Sequence, residues 1–440
     1  MFLKSISSFL YNICMKKKYV SYCPLFIFFV FSIFLISCNK NKSDENHFSG
    51  EDNKYSENSD EKKLSDSGIL KNEELNSKAE EILNEEILAL EELKKRAADY
   101  VSHLTLEQKI SQLFMENLEG SVSFKSYESV GEMTGKDDST PLVAGGYIFF
   151  SYNIPPTREE MKNYIKTIRD YCKINNLIQP YLSVDQEGGS VNRLRKLNSK
   201  LPSNLYVSQN YSVGEAFELY TIQAKEMKDL GFDMNIAPVV ETLSEDNKEF
   251  IEDRSFGEPY DVLLYANACV KAYERNGIAT VVKHFPGNTN TDPHSGLPEI
   301  SLTAEELDIS LAAFKRVIKN QPTAVLMSHA RVSCFDPQTP SCLSKKWVTE
   351  VLREELGFEG LIISDDIFMA ALEKNGYPPE KAVVMAIEAG VDCIMISEKR
   401  FASSANILYN KCLEDEEFSV LVDKACQRII LYKMKSGILE

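Results

Sequence analysis

Short apolar runs recur along the chain, each followed by polar or glycine-rich residues and then by a stretch of helical period. They read "QLFMENLEG", "AGGYIFF", "PYLSVDQEGG", "FDMNIAPVV", "ATVVKHFPG", "TAVLMSHARV", "GLIISDDI" and "VDCIMIS". Runs of this length bounded by turn signals are those of buried strands. The intervening segments, among them Arg158 to Asn175 and Ala304 to Lys319, carry their apolar residues at helical spacing. Strands apolar on both faces and joined by helices indicate a parallel sheet covered on both sides. About eight such units predict an α/β chain closed into a single (β/α)8 barrel of the TIM type, with an open doubly wound sheet as the alternative.

The N-terminus follows a different pattern. "MKKKYVSYCPLFIFFVFSIFLISC" has a basic region, an apolar region and a small residue before Cys38, the signature of an export signal over residues 1–37. Met15 is then a candidate start. Leu35-Ile36-Ser37-Cys38 resembles the lipobox of bacterial lipoproteins, which implies lipidation at Cys38 and a lipid anchor in a bacterial membrane. A single transmembrane anchor is the alternative, because the apolar stretch is nearly long enough to span a bilayer. On either reading the body of the chain lies outside the cytoplasm, periplasmic or at the cell surface. Residues 38–79 are rich in Asn, Lys, Ser, Asp and Glu and bury too little to offset ordering entropy, so a disordered polar tether is expected there. From Leu75 to Ala98, Ile82, Leu83, Ile87, Leu90 and Leu93 fall at helical spacing and predict an amphipathic helix leading into a barrel domain over 80–440.

The formal net charge of -17 argues against nucleic acid as a partner, since phosphate binding needs clustered Lys and Arg. Of ten cysteines, Cys14 and Cys23 leave with the signal and Cys38 would carry lipid. The odd set that remains is not a disulfide scaffold. Cys334 and Cys342 could close a loop in "SCFDPQTPSC", or could be buried thiols. No metal-ligand spacing such as C-x-x-C appears, and no cofactor is expected.

A barrel places its chemistry where strands end. Asp185 follows "YLSV", Lys283 and His284 follow "ATVV", Ser328 and His329 follow "AVLM", and Asp365 follows "LIIS". One or two of these could be helix caps, but the habit recurs at several strand ends. Two of only five histidines also flank one short loop, "KHFPGNTNTDPHSG".

The stretches "VDQEGGSVNRL", "DRSFG", "KHFPG" and "SDD", in that order, resemble glycoside hydrolase family 3 from about Ala98 onward, and within it the β-N-acetylglucosaminidase branch. The resemblance implies that Asp365 is the nucleophile of a retaining reaction through a covalent glycosyl intermediate. It implies that His294, oriented by Asp292, is the acid/base, a D-x-H dyad in place of the usual second carboxylic acid. In extended backbone residues i and i+2 face one side, and Pro293 favours that geometry at Asp292. Asp185, Arg193, Arg254, Lys283 and His284 are implied as sugar contacts. Spacing also leaves Glu187 open as an alternative acid.

The branch commonly reads "KHFPGHG" before the dyad. Here Asn288 follows Gly287 and the loop is about two residues shorter, which implies a less mobile acid/base loop. The implied activity is removal of non-reducing terminal β-linked N-acetylglucosamine, with peptidoglycan fragments as the expected substrate. The alternatives are a β-glucosidase or xylosidase of the same superfamily, and a lipid-anchored sugar-binding protein that has lost turnover.

Overall fold

The computed structural model of the protein describes residues 59–293 and 296–440, with side chains at 78 and from 80 onward. The export signal, Cys38, His294 and the tether as far as residue 58 lie outside the described residues. The chain divides into two compact units, one ending at Leu93 and one spanning Lys94–Glu440. Helix α1 (Ser59–Ser102) begins earlier than Leu75 and takes in residues expected to be tether. The stretch is rich in Glu, Lys and Leu, which lose little side-chain freedom in a helix. Among the described residues no helix is long and apolar enough to cross a membrane.

The second unit holds eight parallel strands: β1 (Phe114–Asn117), β2 (Gly146–Phe149), β3 (Tyr181–Val184), β4 (Met234–Asn235), β5 (Ala279–Phe285), β6 (Ala324–Met327), β7 (Leu361–Ile363) and β8 (Ile394–Ile396). They pair in chain order from β1 to β7, with β8 against β1. A parallel bridge between Ile363 and Cys393 brings β7 to β8 and closes the ring. The expected eight-unit barrel is therefore present, and each apolar run supplies the strand assigned to it. Every residue of β1, β2, β3 and β5 is buried, as two covered faces require.

Local sequence starts the surrounding helices. Thr157 caps α2 (Arg158–Ile174) through the Glu160 backbone N–H, and Glu160 returns a bond to the Thr157 N–H. Ser212 and Glu215 do the same for α3 (Val213–Leu230). Each such cap is worth about 1 kcal/mol. Layers then lock through aromatic contacts: Phe149 of β2 meets Tyr164 of α2 and Phe232 edge-on, at 5.8 and 5.1 Å between ring centres. The helix expected over Ala304 to Lys319 is broken at Leu311 into Ala304–Ser310 and Ala312–Ile318, where the Leu311 N–H turns back to Leu307 and Ile309. Cys334 is exposed and Cys342 buried, both as free thiols, so the loop-closing disulfide is absent.

Candidate active site

The polar residues named from sequence gather at the carboxyl ends of the strands. Asp185 directly follows β3, Lys283 and His284 lie in the last turns of β5, and Asp365 is two residues past β7. The Lys283 ammonium donates to Asp185 Oδ1 at 2.7 Å and lies 2.6 Å from Glu187 Oε1. Arg254 closes on the same glutamate with two parallel bonds, Nε to Oε2 and Nη2 to Oε1, both 2.9 Å. Such a fork fixes geometry as well as charge.

Burial alone would push the Glu187 carboxyl up, but Lys283 and Arg254 outweigh it and hold the group down at about 2. An acid held ionised at all working pH cannot supply a proton. Both oxygens of Glu187 are engaged by Lys283 and Arg254, which argues against it as the alternative acid. Its loop leaves the strand through Gly188 at a φ of +107°, and an added Cβ there would stand 2.1 Å from the Pro202 carbonyl oxygen.

Asp365 is subject to opposed influences. Burial raises its carboxyl, while the charges of His329, His284 and Lys283 and a bond from the Asp366 N–H lower it, and the net shift is downward. The Asp366 N–H donates to Asp365 Oδ1 at 2.9 Å. Asp366 itself accepts from the backbone of Phe368 at 3.0 Å and of Ser397 at 2.9 Å, which pins the turn. The helix-cap type of role considered for Asp365 thus falls to Asp366, and Asp365 is left as the ionised carboxylate of the rim.

His329, at the end of β6, faces the backbone oxygen of Asp366 with Nε2 at 3.0 Å. A carbonyl oxygen only accepts, so Nε2 carries the proton. The other nitrogen, Nδ1, lies 3.2 Å from the Cys342 thiol sulfur. Burial and the nearby Asp365 charge both push that thiol up, which keeps it protonated.

The remaining sequence candidates are placed as follows. Arg193 follows the same loop as Gly188, and its Nε is buried with no hydrogen-bond partner among the described residues. Asp292 is exposed, and its backbone oxygen accepts from the Gly296 N–H at 3.0 Å. Pro293 beside it is buried, whereas His294 lies outside the described residues. Among the described residues no group of three or more His, Cys, Asp or Glu side chains could hold a metal ion.

Sequence reading missed Glu241. It lies beyond β4, buried, and takes His284 Nδ1 at 2.7 Å. The apolar "APVV" precedes it, but the strand in that run ends at Asn235, six residues earlier, so the strand-end rule does not reach it.

A scan against family models matches residues 105–431 to the "Glycosyl hydrolase family 3 N terminal domain". A β-hexosaminidase of Pseudomonas aeruginosa is 33% identical over 263 residues, 58% of this chain and 76% of that protein. Among solved structures, a glycoside hydrolase family 3 β-N-acetylglucosaminidase from Paenibacillus superposes with a TM-score of 0.67 at 28% identity, covering 76% of this chain. The match spans 63% of that enzyme's length. A β-N-acetylhexosaminidase from Beutenbergia cavernae gives 0.64 at 25% identity, covering 76% of this chain and 99% of its own.

Proposed function

The chain belongs to glycosyl hydrolase family 3, and from that premise we propose that it is a retaining exo-β-N-acetylhexosaminidase releasing terminal N-acetylglucosamine from peptidoglycan fragments. The single observation that carries this reading is the place of Asp365: a rim carboxylate two residues past β7, at the same strand ends as Asp185, Lys283 and His284, with its carboxyl shifted downward against its own burial. A nucleophile must be anionic at rest, and this one is prepared to be so.

In the proposed reaction an Asp365 oxygen attacks the anomeric carbon. The bond to the leaving oxygen breaks as His294, oriented by Asp292, gives that oxygen its proton. Water then attacks the same carbon, the ester to Asp365 breaks, and the water proton returns to His294, so configuration is retained overall. Asp185 accepts ring hydroxyl protons, Lys283, His284 and Arg254 complete the sugar contacts, and Arg193 brings an unsatisfied donor to the same rim. Lipidation at Cys38 would hold the enzyme at the membrane face where wall fragments are released.

Hydrolysis of a chromogenic N-acetylglucosaminide, set beside the glucoside and xyloside, tests the reading. Release from the N-acetylglucosaminide alone supports it. Sugar binding without release from any of the three would replace it with a binding protein.

A further inference from the structure

Glu241 accepts from four donors, and they belong to two residues. His284 supplies its backbone N–H at 3.3 Å and its ring Nδ1 at 2.7 Å, both to Oε1. Asn288 supplies its side-chain amide to Oε1 at 3.1 Å and its backbone N–H to Oε2 at 2.6 Å. Both backbone N–H groups and the Asn288 amide can only donate, so the carboxylate accepts from them. Nδ1 of His284 must then carry a proton, and Nε2 is the ring nitrogen that this carboxylate leaves unbound.

The two partners bracket the Phe285-Pro286-Gly287 turn, and Asn288 is the root of the segment leading to Asp292 and His294. Two residues on, Asn290 ties the same segment to the loop after β4. Its N–H donates to the Asp246 oxygen at 2.6 Å, its amide to the Glu245 oxygen at 2.8 Å, and its Oδ1 accepts from the Glu249 N–H at 2.8 Å. Burial of Glu241, at 2% exposure, keeps water from competing for these bonds.

We infer that Glu241 is a positioning residue that joins the sugar-contacting His284 and the root of the acid/base loop into one unit. This rests on the functional reading above. It orients the His284 ring for hydroxyl recognition and, through Asn288, anchors the root of the segment that leads to Asp292. Loss of Glu241 should therefore harm protonation of the leaving group as well as sugar binding, which a role in stability alone would not do.

The test compares Glu241→Gln and Asn288→Ala with the wild type on two substrates, an N-acetylglucosaminyl disaccharide and an aryl glycoside with a good leaving group. Glutamine keeps one acceptor but turns an N–H toward the donors of Asn288. E241Q is expected to lower kcat/KM on the disaccharide by about 100-fold and on the aryl glycoside by about tenfold or less. N288A, which leaves the His284 bond in place, is expected to show the same asymmetry more weakly, and it carries the test if E241Q does not fold. Equal losses on both substrates, or none, would overturn the inference. If the wild type cleaves neither substrate the functional reading fails on its own, and the imidazole nitrogen-15 spectrum still decides this one. A Nδ1–H signal for His284 that changes in E241Q supports it, and a wild-type Nδ1 that carries no proton overturns it.

Discussion

Lys283, at the end of β5, donates to Asp185, at the end of β3, across 2.7 Å, and the same ammonium lies 2.6 Å from Glu187. One cation thus serves two carboxylates with different fates. Glu187 is 3% exposed and closed off by Arg254, whereas Asp185 stays partly open at the rim. The buried acid builds the site, and the open one is available to a hydroxyl.

Removing the buried acid should therefore damage the frame. Glu187→Gln leaves Lys283 and Arg254 short of a counter-charge in a dry setting, and breaking a buried pair in this way costs about 3–5 kcal/mol. Chemical denaturation should show a lower midpoint with an unchanged slope. The wild type should also lose stability in acid: a carboxyl held down at about 2 contributes fully above its unfolded value near 4.3 and progressively less as pH falls toward 2. E187Q should lack that part of the acid loss.

A lysine far from the rim predicts the opposite slope. Lys433, on the C-terminal helix Glu416–Lys435, is fully buried and donates to Gln112 Oε1 at 2.5 Å. Desolvation brings its ammonium down to about 7. Between about pH 7 and 10 the unfolded chain then binds a proton that the folded chain has shed, so stability rises with pH across that window. Lys433→Met should flatten this rise, read from denaturation midpoints of the two proteins at pH 7 and 9.

For the acid/base, substrate chemistry is the discriminator. His294→Ala should slow an N-acetylglucosaminyl disaccharide by about 100-fold or more and an activated aryl glycoside far less, because a good leaving group departs without a proton. Equal losses would remove His294 from that role.

Asp365→Asn should leave the melting temperature nearly unchanged and lower kcat by at least about 1,000-fold, the scale on which loss of a nucleophile is felt. A variant with more than a tenth of wild-type turnover would move the chemistry elsewhere.

The barrel was legible because each strand is a short apolar run with a polar exit, and the rim residues Asp185, Lys283, His284 and Asp365 inherit their place from that rule. Three features were not legible, for physical reasons. Glu187 reads as a free acid two residues from Asp185, and only the fold brings Lys283 and, 67 residues away in sequence, Arg254 against it. Glu241 stands six residues past a two-residue strand, so no periodicity pointed to it. Lys433 looks like any lysine in the last turn of a polar helix, and only tertiary packing buries it. Helix α1 began earlier than its apolar spacing suggested, and its Glu, Lys and Leu residues are strong helix formers.

The most direct test is to trap the glycosyl-enzyme with a slow fluorinated N-acetylglucosaminide and locate the label by peptide mass spectrometry. The account predicts one sugar on the peptide carrying Ser364-Asp365-Asp366, with fragmentation placing it on Asp365. Label on Asp366 or Glu187, or none on a protein that still turns over the substrate, would contradict it.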